Sequence, residues 1–230
     1  MMIKTEQFYY FRLQKTASRF LGELFKYVFK STSRVAGNHA RRRHINGKDR
    51  IFVSSIRNPW DWYVSFYFSH IDKLNKTGEI RKIFRKFFYK DKKLLCFNDF
   101  MRHICSCNFF MGALNRLDIG YYSYRFLDIL GGKKVGDFKK YHLDNITDFL
   151  DIDYFIRFED IPNDIVRFME KNNIIYDREK YDYFINRGNI YHKSKRTHYS
   201  HYYEDDVIEL VRYKDRMIIN NFGYKYEKSK

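Results

Sequence analysis

The sequence predicts an α/β fold around a parallel sheet. Three short runs rich in aromatic and β-branched residues lie far apart, and each leads into a segment of helical period. Strands that alternate with helices in this way pair in parallel, because each crossover brings the chain back to the same edge of the sheet. The two prolines of the chain, Pro59 and Pro162, fall where the second and third of these helices begin. A missing N–H costs nothing at that position.

The first strand is Gln7-Phe-Tyr-Tyr-Phe-Arg-Leu13. A turn, Gln14-Lys15-Thr16-Ala17, joins it to a helix over 18–30, where Phe20, Leu21, Leu24, Phe25, Val28 and Phe29 form one stripe. The second strand is Arg50–Ile56; Arg57-Asn58-Pro59 then opens a helix to about His70. Residues 79–90 predict a helix with Ile80, Ile83, Phe84, Phe87 and Phe88 on one side and Arg81, Lys82, Arg85, Lys86 and Lys90 on the other. The third strand is Asp153–Phe158, followed by Glu159-Asp160-Ile161-Pro162 and a helix to about Lys171. The last helix runs from about Glu204 to Asn220, with Gly223 placed to end it. No repeat or flexible linker interrupts the pattern, so a single domain over 1–230 is expected.

Composition narrows the function. At 44% hydrophobic and 20% aromatic, the 230 residues can bury a core, which excludes a disordered tail. Lys and Arg number 44 against 28 Asp and Glu, a net charge of +16. Partners are therefore expected to be anionic: nucleotide phosphates, nucleic acid, acidic glycans or a membrane surface. Three cysteines, Cys96, Cys105 and Cys107, make no disulfide framework and no metal knuckle, so buried thiols and no bound metal are expected. There is no transmembrane run and no signal-peptide core, and a cytoplasmic protein is expected.

Two segments carry chemistry. Lys15-Thr16-Ala17-Ser18-Arg19-Phe20 sits at a strand-to-helix turn. Unpaired N–H groups and the positive helix end, joined by a Lys and hydroxyls, make a cradle for phosphate or sulfate. The bland alternative is an ordinary cap, with Ser18 capping and Lys15 solvated. No glycine precedes Lys15, so the Walker A pattern is absent and a P-loop kinase is disfavoured. The second segment, Arg57-Asn58-Pro59-Trp60-Asp61 with Ser65 beyond, starts at the end of a strand. That edge faces the crevice where open α/β sheets bind ligands. Arg57 and Ser65 could grip one phosphate; alternatively Arg57 pairs with Asp61 and Ser65 is buried.

Together these segments resemble the sulfotransferase superfamily, whose members use 3′-phosphoadenosine 5′-phosphosulfate as donor. Lys15-Thr16-Ala17-Ser18 looks like the loop that binds the 5′-phosphosulfate, and Arg57-Asn58-Pro59-Trp60-Asp61 with Ser65 like the loop that binds the 3′-phosphate. Phe158-Glu159-Asp160 resembles the family's third-strand segment. The tail, Tyr202 to Asp205 and Asn221 to Tyr224, is similar to the last helix of carbohydrate-type and bacterial members. The resemblance implies a three-layer α/β/α, P-loop NTPase-like fold with a central parallel sheet. It also implies a hydroxyl acceptor, on a carbohydrate by the likeness of the tail, and no metal. Arg19 departs from the Thr or Ser usual beside the cradle.

The resemblance also places a catalytic base ahead of the Arg57 loop, where His39 stands. Imidazole has the right proton affinity, although Arg41, Arg42 and Arg43 nearby should disfavour its charged form. Glu23 is the weaker candidate. Lys195 and Arg196, in the basic run 193–198, match a late loop that contacts the 3′-phosphate or adenine. From another class, a non-catalytic binder of nucleic acid or another polyanion suits the charge, though no nucleic-acid motif supports it. The basic helix over 79–90 would suit an acidic glycan or peripheral contact with anionic lipid.

Overall fold

The computed structural model describes residues 2–29, 33–35, 41–45, 49–80, 82–106, 117–187 and 196–229. Among these, the strands are β1 (Met2–Lys4), β2 (Phe8–Phe11), β3 (Ser33–Val35), β4 (Ile51–Ile56), β5 (Tyr89–Lys90), β6 (Lys93–Leu94) and β7 (Tyr154–Arg157). The α-helices are α1 (Ser18–Val28), α2 (Pro59–Thr77), α3 (Lys82–Phe88), α4 (Phe97–Ser106), α5 (Tyr121–Leu130), α6 (Ile161–Lys171), α7 (Arg178–Asn186), α8 (Asp205–Lys214) and α9 (Arg216–Phe222). The chain divides into two compact units: Met1–Arg57 with Phe126–Val135 and Thr147–Lys195, and Asn58–Arg125 with Gly136–Ile146 and Arg196–Lys230.

The first unit is α/β with a mixed sheet in the order β3-β1-β2-β4-β7. The three strands expected from the sequence, β2, β4 and β7, pair in parallel, Phe11 opposite Ser54 and Ile56 opposite Arg157. The expected parallel sheet is corrected at one side, where β1 runs antiparallel to both β2 and β3. The reason is connection length. Only Thr5, Glu6 and Gln7 separate β1 from β2, and a parallel return needs a dozen or more residues. Thr5 fixes this short turn: its Oγ1 donates to the Phe8 carbonyl (3.0 Å) and accepts from the Phe8 N–H (2.9 Å).

Every residue of β2 is buried, as expected of a strand covered on both faces. Phe8 and Tyr10 meet Phe25 of α1 edge-on, and Phe8 also meets Phe29 and Phe168. Such pairs add about 0.5–1.5 kcal/mol each beyond their buried area. On the opposite face Phe11 packs on Phe52, the Arg42 guanidinium covers Phe52, and Phe126 stacks on Phe155.

The second unit is built on α2. Asn58 caps it, its side chain accepting from the Trp60 N–H, with Pro59 in the first turn; Gly78 (φ 69°) ends it. The helix thus runs seven residues past the expected His70. Trp62 stacks on Phe66 and Tyr122. The helix expected over 79–90 is α3 alone, because from Tyr89 the chain pairs with itself as the β5–β6 hairpin. The expected last helix is broken into α8 and α9 at Asp215. There the carboxylate turns inward and accepts from the Tyr63 hydroxyl, the Ser123 N–H and the Ser123 hydroxyl. Cys96 is exposed, contrary to the expected burial, and Cys105 is half-buried; Cys107 lies outside the described residues. No helix among the described residues is long and apolar enough to cross a membrane.

Candidate functional site

In the first unit β2, β4 and β7 are parallel neighbours, so their C-terminal ends lie along one edge. The turn Gln14–Ala17 follows β2, Arg57 follows β4, and Phe158–Asp160 follows β7.

The turn is held in an unusual conformation. Lys15 (φ 65°) and Ala17 (φ 55°) are both left-handed although neither is glycine. Such backbone costs of order 1–3 kcal/mol per residue and persists only where its surroundings over-determine it. Two groups do so here. Thr16, between them, is fully buried, and its hydroxyl donates to the Leu13 carbonyl at 2.7 Å. Each hydroxyl has one proton, so the remaining bonds have a fixed direction: Ser55 donates to Thr16 (2.6 Å) and Tyr10 donates to Ser55 (2.7 Å). Burial pushes the Tyr10 phenol well above its ordinary value, which keeps that proton in place. Arg57 is the second group. Its Nη1 donates to the Lys15 carbonyl at 3.0 Å, and its guanidinium lies 3.7 Å from the centre of the Phe158 ring.

The result is a helix end prepared for an anion. The N-cap residue of α1 is Ala17, and no side chain caps the helix. Ser18 is the first helical residue, so the alternative in which it caps is set aside. The first turn has no acidic residue; it carries Arg19, exposed, at the positive end of the dipole, where a cation is disfavoured. A left-handed residue followed by a helical one turns successive N–H groups to one side, a geometry that cradles anions.

Lys15, Thr16, Ala17, Ser18 and Arg57 are brought together. Thr16, however, is fully buried and turns its hydroxyl inward to Leu13 and Ser55. Arg57 is only 5% exposed and braces the turn. Phe20 is buried in the core cluster. Glu23 pairs with Lys26 one turn on. His39 and Lys195 lie outside the described residues. The three arginines near His39 are ion-paired: Arg41 and Arg43 with Asp128, Arg42 with Asp151.

In the second unit Ser65 is half-buried on α2. Arg196 pairs with Asp61 at 2.5 Å in the first turn of the same helix. The late basic segment and the Asn58–Asp61 segment, singled out separately in the sequence, therefore meet. Asn58 also donates to the Lys225 carbonyl, and Trp60 to that of Ile208.

Sequence reasoning missed Ser55 and the role of Phe158 as a shelf for Arg57. A signal existed for the first: Ser54-Ser55 is a polar pair inside an otherwise apolar strand. Among the described residues no group of three or more His, Cys, Asp and Glu could hold a metal ion. Neither protein-family models, nor curated proteins, nor solved structures yield a match to this chain.

Proposed function

We propose that this protein is a sulfotransferase that moves a sulfuryl group from 3′-phosphoadenosine 5′-phosphosulfate to a hydroxyl of a carbohydrate, within a three-layer, P-loop-like frame. One observation supports it above the rest: Arg57 donates to the carbonyl of Lys15 across 42 positions of sequence. The two segments that resemble the donor-binding loops are thus neighbours, at the strand ends where α/β sheets bind ligands.

The 5′-phosphosulfate would sit on the N–H groups that open α1, with the Lys15 ammonium beside the bridging oxygen. The acceptor hydroxyl attacks sulfur in line. Its S–O bond forms as the bond from sulfur to the leaving phosphate breaks, and Lys15 neutralises the charge that grows there. The acceptor proton passes to His39, the base implied by the resemblance. Arg57 holds the turn in its binding shape and adds positive potential toward the 3′-phosphate. For Ser65, Lys195 and Arg196, the resemblance alone assigns contacts with that phosphate or adenine.

Transfer of radioactive sulfate to a mixture of polysaccharides tests this. Lys15→Ala should lose about 10²–10³-fold in kcat, the scale of removing one charge-stabilising group, while melting as the unmodified protein does. A Lys15→Ala protein that transfers sulfate normally contradicts the assignment.

A further inference from the structure

The basic region from the last turns of α2 through the β5–β6 hairpin, in the second unit, has no part in the proposed chemistry. Residues 72–94 contain nine Lys and Arg against three Asp and Glu, so six of the sixteen net positive charges fall in 23 of 230 residues. The far end of this region is the β5–β6 hairpin, where Lys90, Lys92 and Lys93 stand with Asp91. Its register sets Lys90 directly opposite Lys93, and like charges facing each other across a strand pair repel. The turn residues, Asp91 (φ 48°) and Lys92 (φ 65°), are both left-handed without being glycine. Two such residues in a row make the mirror-image turn of tight hairpins, for which Asn-Gly is the low-strain choice. Strands of two residues offer little ladder to offset either cost. The fold nevertheless presents residues 90–94 to solvent, all of them exposed, with Leu94 at 44%.

We propose that this hairpin is a docking element for the surface of an anionic lipid bilayer. Two observations favour a bilayer over a soluble polyanion. Among the described residues of 72–94 the exposed cations are Lys73, Lys76, Lys86, Lys90, Lys92 and Lys93, with Arg85; lysine is a hydrated point charge suited to a diffuse field, without the planar fork that grips sulfate or phosphate pairwise. Leu94 adds an exposed apolar group beside them, which a headgroup layer can cover and a charged polymer cannot use. An anionic surface also relieves the repulsion between Lys90 and Lys93.

Sedimentation of the full chain with vesicles provides the test. Binding is expected to phosphatidylcholine vesicles with a third of the lipid replaced by phosphatidylserine, to weaken as salt is raised, and to be absent with phosphatidylcholine alone. Lys93→Gln should lower partitioning about fivefold, the worth of one cation at such a surface. Leu94→Ser should lower it roughly threefold or more. Lys93→Glu separates docking from folding: it replaces a repulsive cross-strand pair with an attractive one, so the melting temperature should hold or rise while vesicle binding falls. Equal binding of Lys93→Glu and unmodified protein overturns the proposal. So does failure to bind the anionic vesicles, or binding to a heparin fragment instead with no effect of Leu94→Ser. None of these outcomes depends on sulfate transfer.

Discussion

At Ala17 the backbone is left-handed, and the side chain is a methyl group that this conformation tolerates poorly. Glycine would remove the strain but add freedom to the unfolded chain, two terms of about 1 kcal/mol and opposite sign. Ala17→Gly should therefore leave stability within about 0.5 kcal/mol, whereas the β-branched Ala17→Val should cost about 2 kcal/mol or more. Chemical denaturation of both variants checks this. An Ala17→Val protein as stable as the parent would mean that the turn relaxes without effort and stores no strain. The neighbouring residues mark the limit of what sequence discloses. Lys15 and Arg57 are legible, because each follows an aromatic or β-branched run at the place where such sheets bind ligands. The inward turn of Thr16 is not legible, because it depends on Ser55, 39 positions later, being the residue beside it. For the same reason Arg41, Arg42 and Arg43 read as a free basic run, yet their partners Asp128 and Asp151 lie 85 or more positions away.

Among the elements, those with a local signal are the ones the sequence discloses. Pro59 and Pro162 mark the starts of α2 and α6, and Gly223 ends α9 with φ 67°. The division between α8 and α9 has no such signal, since it follows from where the Asp215 carboxylate finds its donors. Gly120 is the other half of that arrangement. A Cβ added there would lie 2.4 Å from Oδ2 of Asp215, and the Gly120 N–H donates to the Lys214 carbonyl. Gly120→Ala must displace a buried, triply bonded carboxylate or push the backbone away from it. A loss of about 2–3 kcal/mol is expected, the range for overpacking in a well-filled site. A melting temperature unchanged by Gly120→Ala would show that Asp215 has room to move. The antiparallel β1 and β3 escape sequence reasoning because they are three residues each, too short to show a period of two.

For the molecule as a whole, the 21 tyrosines make stability depend on alkali. Burial raises Tyr67, Tyr181 and Tyr199 to about 12, and Tyr10 and Tyr63 further. A raised value means the folded chain keeps a proton that the unfolded chain releases. Stability is thus intact below about pH 10, the unfolded value, and falls as pH climbs toward 12. The slope should approach about 1.4 kcal/mol per pH unit for each fully buried tyrosine, Tyr10 and Tyr63 foremost. Tyrosinate absorbance and unfolding followed together between pH 9 and 12 should show the buried phenols, Tyr10 and Tyr63 foremost, ionising only as structure is lost; ionisation of all 21 phenols while the fold persists contradicts it. The proposed function turns on the edge formed by β2, β4 and β7, where the strained turn, the start of α1 without a side-chain cap and the braced Arg57 meet. The most direct test is a calorimetric titration of the protein with adenosine 3′,5′-bisphosphate, the desulfated donor, beside one with adenosine 5′-phosphate. One bisphosphate should bind per chain, more tightly than the monophosphate by about 2–3 kcal/mol, the worth of charge-assisted bonds to the 3′ group. No heat of binding with either nucleotide, or equal affinity for both, would contradict the donor site.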